Sequence, residues 1–143
     1  MPISEKDKDL LALLSENARM PTALLARKLG LSRTTVQSRI EKLEREGVIA
    51  GYGVRLTDAF EKNLVRAHVS IQLAPKALSR VTQDLHALAN VRSLHSVSGT
   101  FDLIAIVTAD SIGDLDLVID RIGEIDGVER TLSSIILSTR ISR

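Results

Sequence analysis

Residues 22–46 hold the pattern that most constrains the fold of this chain: two short amphipathic segments on either side of a turn at Gly30 and Leu31. Apolar residues recur in both segments at spacings of three and four, the period of one face of an α-helix. These residues are Leu24, Leu25 and Leu29 in the first segment and Val36, Ile40 and Leu43 in the second. Ser32 is placed to cap the second segment. The sequence therefore predicts a helix-turn-helix.

The opposite face of the second predicted helix is polar and basic. Counted at about 100° per residue, the positions that point outward are Thr34, Ser38, Glu41 and Arg45, with Thr35, Gln37 and Lys42 beside them. Residues 27–45 contain six cations and two anions. Hydroxyl, amide and cationic groups suit the base edges and phosphates of a DNA groove. This face is therefore the candidate surface for double-stranded DNA.

The second helix of such a motif enters the major groove with its amino-terminal half, while the first helix crosses the backbone. We therefore expect contacts to bases or phosphates from Ser32, Arg33, Thr34, Thr35, Gln37 and Ser38, and contacts to phosphates from Lys28, Arg39 and Lys42. Arg39 has an alternative role. It lies near the buried edge of its helix, where it can instead brace the fold through Glu16 or Asp9. Both roles are open from the sequence.

A further helix precedes the motif, and its apolar positions are Leu10, Leu11, Leu13 and Leu14. Ser4 could cap it, with Asp7 three residues on in place of the usual glutamate. Pro21 and Thr22 mark the start of the next helix, which Thr22 could cap. Gly47 ends the last helix, and residues 48–56 have the extended, glycine-interrupted pattern of a wing or linker strand. We expect a DNA-binding head over residues 1–56.

Charge and composition agree with a division of the chain into two parts. The net charge of all 143 residues is only +1, but residues 1–55 carry +3 and residues 56–143 carry −2. The positive charge is concentrated on the predicted helix-turn-helix. Cysteine is absent, which excludes disulfides and cysteine metal sites and suits a reducing compartment. The charged amino terminus and short apolar runs predict a cytoplasmic protein with no membrane partner.

Residues 57–143 repeat a strand, helix and strand twice, which predicts a ferredoxin-like βαββαβ domain and an α+β fold class for the chain. The strands are expected at 65–73, 91–98, 101–107 and 128–139, and the helices at 75–89 and 111–124. In the strand at 101–107 the residues that point to either face of the sheet are apolar, so we expect burial on both faces. Both helices would cover one face of an antiparallel sheet. The other face then needs a partner, which predicts at least a homodimer.

Several short motifs, in this order along the chain, make it resemble the Lrp/AsnC family of feast-or-famine transcription regulators. They lie at 7–11 (Asp-x-x-Leu-Leu), 17–19 (Asn-Ala-Arg), 25–26, 30–32 (Gly-Leu-Ser), 36–40 (Val-Gln-Ser-Arg-Ile), 43–44, 47–49 (Gly-Val-Ile), 51–52 (Gly-Tyr) and 98–102 (Ser-Gly-Thr-Phe-Asp). Each fragment alone is weak, but the ordered set is specific. The resemblance covers nearly the whole chain.

This resemblance implies a winged helix-turn-helix head and a ferredoxin-like effector domain that dimerises and often assembles into tetramers or octamers. It also implies an amino-acid effector bound at subunit interfaces, near the turn formed by Ser98, Gly99, Thr100, Phe101 and Asp102. Asp102 could accept the ligand's ammonium group, and the amides around Gly99 and Thr100 its carboxylate. The alternative is that Asp102 only caps the turn. The chain departs from the family pattern at Asn63, where glycine is frequent, and at Phe101, where tyrosine or tryptophan is frequent.

Two other classes of function are an enzyme and a pure interaction module. Some proteins similar to this family decarboxylate sirohaem on the same fold, and His68 and His95 on predicted strands keep such an enzyme as an alternative. Those decarboxylases have a degraded DNA-binding head, whereas the head of this chain is not degraded, which argues against the enzyme. His68, His86 and His95 lack close metal-ligand spacing, so no metal site is expected. A pure interaction module would leave the clustered cations unexplained. We therefore predict a regulator that reads pseudo-palindromic half-sites and senses a small molecule. We expect it to have no catalytic residues and no cofactor.

Overall fold

The computed structural model describes residues 2–61 and 63–143, which form two compact units divided between Arg55 and Leu56. The amino-terminal unit contains α1 (Glu5–Glu16), α2 (Thr22–Leu29) and α3 (Arg33–Arg45). The carboxy-terminal unit contains α4 (Asp58–Glu61), β1 (Val65–Leu73), α5 (Leu78–His86), β2 (Val91–Ser96), β3 (Leu103–Ala109), α6 (Ile112–Glu124) and β4 (Val128–Ile136). No helix in this described part is long and apolar enough to cross a membrane.

The amino-terminal unit packs its three helices around a small apolar core. Its fully buried members are Leu10, Leu25, Ala26, Leu29, Val36 and Leu43. The predicted stripe is confirmed, except that Leu24 and Ile40 are only half-buried. Ala26 was not predicted as a core residue, because its short side chain gives little periodic signal. Burial of Val36 and Leu43 fixes which face of α3 points outward.

Serine side chains begin two of these helices as predicted. The backbone N–H of Asp7 donates to Ser4 Oγ, and that of Thr35 donates to Ser32 Oγ, each over 3.1 Å. The predicted cap at Thr22 is wrong: Pro21 occupies the cap position, and Thr22 is the first helical residue. Proline already sets an extended backbone there, so the chain enters the helix without a side-chain cap. Gly30 ends α2 with a left-handed φ of 67°.

The strand expected within residues 48–56 does not form. Its residues are in turn or irregular conformation. A strand depends on backbone hydrogen bonds to a neighbour, and the described residues of the amino-terminal unit supply no neighbouring strand. Gly51 and Gly53 weaken its extended preference further. The side chains of Tyr52 and Val54 are exposed.

The carboxy-terminal unit is a four-stranded antiparallel sheet with strand order β2-β3-β1-β4. The register pairs Val69 with Ala105 on one side and with Ser133 on the other. The buried residues of this sheet alternate, because successive side chains point to opposite faces. They pack with Val81 and Leu85 of α5 and with three apolar residues of α6, so both helices cover the same face. The predicted βαββαβ order is confirmed.

Several predicted bounds and one predicted burial pattern differ from the structure. Helix α5 begins at Leu78 and not at the expected residue 75, because Lys76 has a left-handed φ of 65°, which a helix cannot contain. It ends at His86, before the expected residue 89. The short helix α4 was not predicted. In β3 only one face is fully buried, and Ile104 and Ile106 remain half-buried. The helices cover one side of the sheet, so the expectation of two buried faces is wrong for the single chain.

Candidate nucleic-acid interface and effector loop

The outward face of α3, called the recognition face here, is exposed as the periodicity predicts. Thr34, Gln37, Ser38, Glu41, Lys42 and Arg45 are exposed along it, and Thr35 is half-buried. A shallow groove runs beside the amino-terminal half of the helix. It is lined by Thr22 of α2 together with Arg33, Thr34, Gln37, Ser38 and Glu41. Hydrogen-bonding side chains of both kinds, donors and acceptors, thus line one open surface.

Two of the predicted contact residues are already engaged at the start of α3. Ser32 Oγ accepts from the Thr35 backbone N–H and lies 2.8 Å from Thr35 Oγ1, to which it donates. The pair closes the first turn, where backbone N–H groups otherwise lack partners. Further along, Gln37 Nε2 donates to Glu41 Oε1 over 3.2 Å, which holds the amide along the exposed face. Arg33, Thr34 and Ser38 remain exposed beside them.

Arg39 makes a brace rather than lying free. Its Nη1 is 3.0 Å from Asp7 Oδ1 and 3.2 Å from Ser4 Oγ. The expected partners, Glu16 and Asp9, were therefore wrong, because the first turn of α1 and not its middle or end lies against α3. Only 32% of the Arg39 side chain and 15% of the Asp7 side chain are exposed.

The ion pair changes the acidity of Asp7. Burial alone would raise the pKa of its carboxyl, but hydrogen bonds from Arg39 and Ser4, with the Arg39 charge, outweigh burial and lower the pKa below its ordinary value of 3.8. The carboxylate is therefore charged at neutral pH. A charged, mostly buried pair links α1 to the helix that carries the recognition face.

Lys6 is a contact that sequence reasoning missed. Its Nζ donates to the backbone oxygen of Leu29 over 2.6 Å, at the end of α2. The last carbonyls of a helix have no intrahelical partner, and a cation there is also favoured by the helix dipole. The donor is 23 positions away in sequence, so no local motif signals it. Lys28, in the last turn of α2, is exposed.

The predicted effector turn connects β2 to β3. Gly99 lies in it with a φ of 114°, and Ser98, Gly99 and Thr100 are exposed. Asp102 ties the turn to β1: its Oδ2 accepts from the Leu73 backbone N–H over 2.8 Å, and its own N–H donates to Ile71 O over 2.9 Å. The Asp102 carboxylate is thus bonded to the end of β1, 29 positions away in sequence.

Phe101, also in this turn, has a cationic neighbour that the sequence did not indicate. The guanidinium carbon of Arg130 is 5.0 Å from the centre of the Phe101 ring, within the range of a cation–π contact. Arg130 reaches the turn because β4 pairs with β1, where Gln72 lies opposite it. Such a contact follows from strand register, which local sequence patterns do not fix.

The three histidines remain apart from any metal-like cluster. His68 and His95 lie opposite Ile106 and Ile104 of β3, and His86 is exposed near the end of α5. Within residues 2–61 and 63–143, no group of three or more histidine, cysteine or acidic residues could hold a metal ion.

A helix-turn-helix with an exposed polar face, followed by a separate ferredoxin-like domain, defines the class of two-part DNA-binding regulators. Comparison with family models agrees. Residues 3–50 match a family of winged helix-turn-helix DNA-binding domains, and residues 66–143 match the Lrp/AsnC ligand-binding domain.

Curated relatives are similar over almost the whole chain. The HTH-type transcriptional regulator LrpA of Pyrococcus horikoshii is 35% identical over 136 residues, which are 94% of this chain and 96% of the relative. The regulator LysM of Saccharolobus solfataricus is 34% identical over 139 residues, 96% of this chain and 95% of the relative. Among solved structures, AsnC of E. coli has a TM-score of 0.88 at 28% identity, covering 100% of this chain and 97% of that one. The chain belongs to the Lrp/AsnC family of transcriptional regulators.

This membership decides between the classes of function that the sequence left open. The relatives are helix-turn-helix transcriptional regulators, not enzymes, and the decarboxylase alternative has no support among them. The predicted DNA partner and a ligand for the carboxy-terminal domain follow from the two matched domains.

Proposed function

We propose that this regulator reads double-stranded DNA in a sequence-dependent manner through the recognition face of α3. One observation carries the proposal: the buried stripe of α3 leaves Arg33, Thr34, Gln37 and Ser38 exposed together along one groove. Arg33, Thr34, Thr35, Gln37 and Ser38 are assigned to base edges or nearby phosphates. Lys28 and Lys42 are assigned to phosphates, and Ser32 acts as the cap that orients the end of the helix.

A double variant, Gln37→Ala with Ser38→Ala, tests this orientation of α3. The operator duplex used here is DNA from upstream of the protein's own gene. Base-edge contacts are each worth about 1–3 kcal/mol of discrimination, so the preference for the operator duplex over scrambled DNA should fall about tenfold or more. Fluorescence anisotropy on both duplexes measures the ratio of dissociation constants. The matched control is Ser79→Ala with Gln83→Ala, which removes the same side-chain types from exposed positions on α5. An unchanged ratio in the α3 variant would reject the assignment.

For the carboxy-terminal domain we propose an α-amino acid as effector, bound near Ser98, Gly99, Thr100, Phe101 and Asp102. The support is chemical: Asp102 Oδ2 is occupied by the Leu73 N–H, and Oδ1 is the oxygen we assign to the ammonium group. The amides around Gly99 and Thr100 suit a carboxylate. A related structure is named as the leucine response regulatory protein of Mycobacterium tuberculosis, 33% identical, with a TM-score of 0.81 and covering 98% of this chain and 96% of that one.

Calorimetry with each of the common amino acids tests the role of Asp102. Asp102→Asn keeps an oxygen that can accept from Leu73 but removes the negative charge. If the carboxylate binds the ammonium group, affinity for the effector should fall about tenfold or more, since hydrogen bonds to charged groups are the stronger ones. Asp116→Asn, at an exposed position on α6, is the control. Equal affinity in wild type and Asp102→Asn would reject the ammonium contact and leave Asp102 with its bond to β1 alone.

We further propose that the protein acts as a homodimer, with tetramers or octamers as larger assemblies, in the cytoplasm where chromosomal DNA is available. The sheet face opposite the helices supports this proposal. Ile104 and Ile106 lie on it half-buried, and Leu132, opposite Ser70, is 59% exposed. Apolar side chains grouped on an open sheet face favour association. Sedimentation velocity of a dilute sample should give a species larger than one chain, and a compact monomer would remove the proposal.

A further inference from the structure

The first turn of α1 contacts both helices of the helix-turn-helix. Lys6 donates to the backbone oxygen of Leu29 at the end of α2, and Asp7 pairs with Arg39 in the middle of α3. Ser4, which caps α1, also accepts from Arg39 over 3.2 Å. The first turn of α1, which lies outside the helix-turn-helix, therefore contacts both α2 and α3.

One terminal nitrogen of Arg39 is directed into this contact. Nη1 serves both Asp7 Oδ1 and Ser4 Oγ, and Nε is buried without a hydrogen-bond partner among the described residues. A phosphate contact needs guanidinium donors presented to the outside. About two thirds of the Arg39 side chain is instead covered.

The charge of Arg39 is also balanced locally. Asp7 and Arg39 line one surface groove together with Thr34, Ser38 and Lys42, so the Asp7 carboxylate lies in the same groove as side chains assigned to DNA. A carboxylate there repels phosphate unless a cation neutralises it. Arg39 supplies that cation at 3.0 Å, which leaves Lys42 as the exposed positive charge of the groove.

We infer that Arg39 is a positioning residue: together with Asp7 it fixes the recognition face of α3 against the first turn of α1, and it does not itself contact phosphate. This inference rests on the proposed DNA-reading function and reassigns Arg39 within it. The two roles differ in salt dependence. Each phosphate contact contributes about 0.9 to the slope of log affinity against log salt, whereas a positioning contact changes affinity without releasing ions.

The test compares DNA affinity across salt concentrations for Arg39→Gln, Asp7→Asn and, as the phosphate-contact reference, Lys42→Gln. The measurements are made at a temperature where circular dichroism shows every variant folded. Arg39→Gln should bind operator DNA about tenfold more weakly with an unchanged slope. Lys42→Gln should reduce the magnitude of the slope by about 0.9. A loss of about 0.9 from the slope in Arg39→Gln would overturn the inference, as would unchanged affinity in the folded variant.

Asp7→Asn should change DNA affinity in opposite directions under the two roles of Arg39. It therefore tests the inference even if Arg39→Gln does not fold. If Arg39 contacted phosphate, removing the neighbouring negative charge would free the guanidinium and tighten DNA binding. If Arg39 positions α3, the same change should weaken binding about threefold or more, although a negative charge has been removed. Tighter binding by Asp7→Asn would overturn the inference.

A double-mutant cycle on unfolding separates the brace from the function, since it needs no DNA. The losses in Asp7→Asn and Arg39→Gln should not add in the double variant, because either change alone breaks the pair. The protein's one tyrosine, Tyr52, lies in the amino-terminal unit, so its fluorescence can follow unfolding of that unit. Additive losses would overturn the inference. Coupled losses in a protein that prefers no DNA sequence would reject the DNA-reading proposal but keep the brace.

Discussion

Asp7 illustrates how one side chain can serve a helix end and a contact between helices together. It lies in the first turn of α1, where its N–H donates to the Ser4 cap and its negative charge suits the helix dipole. Its carboxylate also holds Arg39 on α3. The combined hydrogen bonds lower its pKa in the folded protein, which connects the stability of the head to pH.

The sign of this connection follows from the lowered pKa. In the unfolded chain Asp7 takes its ordinary pKa of 3.8, so its stabilising contribution is complete above that pH and is lost as pH falls through the lower, folded-state pKa. Asp7→Asn should therefore be less stable than wild type at pH 7, by about 1–2 kcal/mol. The difference should shrink as the pH falls below 3.8.

Tyrosine fluorescence during thermal unfolding, from pH 7 down to pH 2.5, measures this difference for the head. Asp9→Asn, at an exposed position on the same helix, is the matched control and should follow wild type more closely. A gap between wild type and Asp7→Asn that stayed constant, or widened, on acidification would contradict the assignment of the ion pair.

Residue-level chemistry was predictable from sequence only where it is local. The caps at Ser4 and Ser32 were found because the hydroxyl and the N–H that it accepts are three residues apart. The brace at Arg39 was one of two roles that the sequence left open, and its partner was not predicted, since choosing Asp7 over Asp9 requires the angle at which two helices cross. The contacts of Lys6 and Arg130 depend wholly on tertiary arrangement and left no local signal.

At the scale of elements, Gly127 shows how a turn fixes the place of β4 beside β1. It follows α6 with a φ of 102°, and its backbone oxygen accepts from Ala74 N over 2.8 Å. A Cβ added at this glycine would lie 2.8 Å from Ala77 Cβ and 3.1 Å from Val81 Cγ2, both next to the core. Position and conformation therefore both require glycine.

Gly127→Ala should destabilise the carboxy-terminal unit by about 2–4 kcal/mol, through backbone strain together with overpacking. Gly123→Ala is the matched control within the same chain. Gly123 lies in α6, and a Cβ there meets nothing within 4 Å, so alanine should stabilise by about 0.5–1 kcal/mol. Urea unfolding followed by circular dichroism gives both values. Equal effects of the two substitutions would show that the turn is not constrained as described.

Elements were predictable where periodicity is strong and less so where the backbone turns. The alternation in β1 and the helical stripe of α6 gave the correct type and order of elements. The start of α5 was misplaced because Lys76 adopts a left-handed conformation that lysine seldom takes. The expected strand within 48–56 failed because sequence can indicate an extended preference but cannot supply a neighbouring strand.

The whole molecule combines a head with a net charge of +3 and an acidic domain that matches the Lrp/AsnC ligand-binding domain. An effector can change DNA binding only if it binds one state of the protein more tightly than another. Assembly is the candidate for such states, since Ile104, Ile106 and Leu132 lie on the open sheet face. Effector binding and subunit association are therefore expected to be coupled in one equilibrium.

The most direct test of the central claim is fluorescence anisotropy of the full chain on a duplex from upstream of its own gene, against a scrambled duplex, across salt and with each amino acid added. We expect tighter binding to the upstream duplex, a logarithm of affinity that falls linearly with the logarithm of salt, and a shift caused by at least one amino acid. Equal affinity for both duplexes at every salt concentration would contradict this expectation.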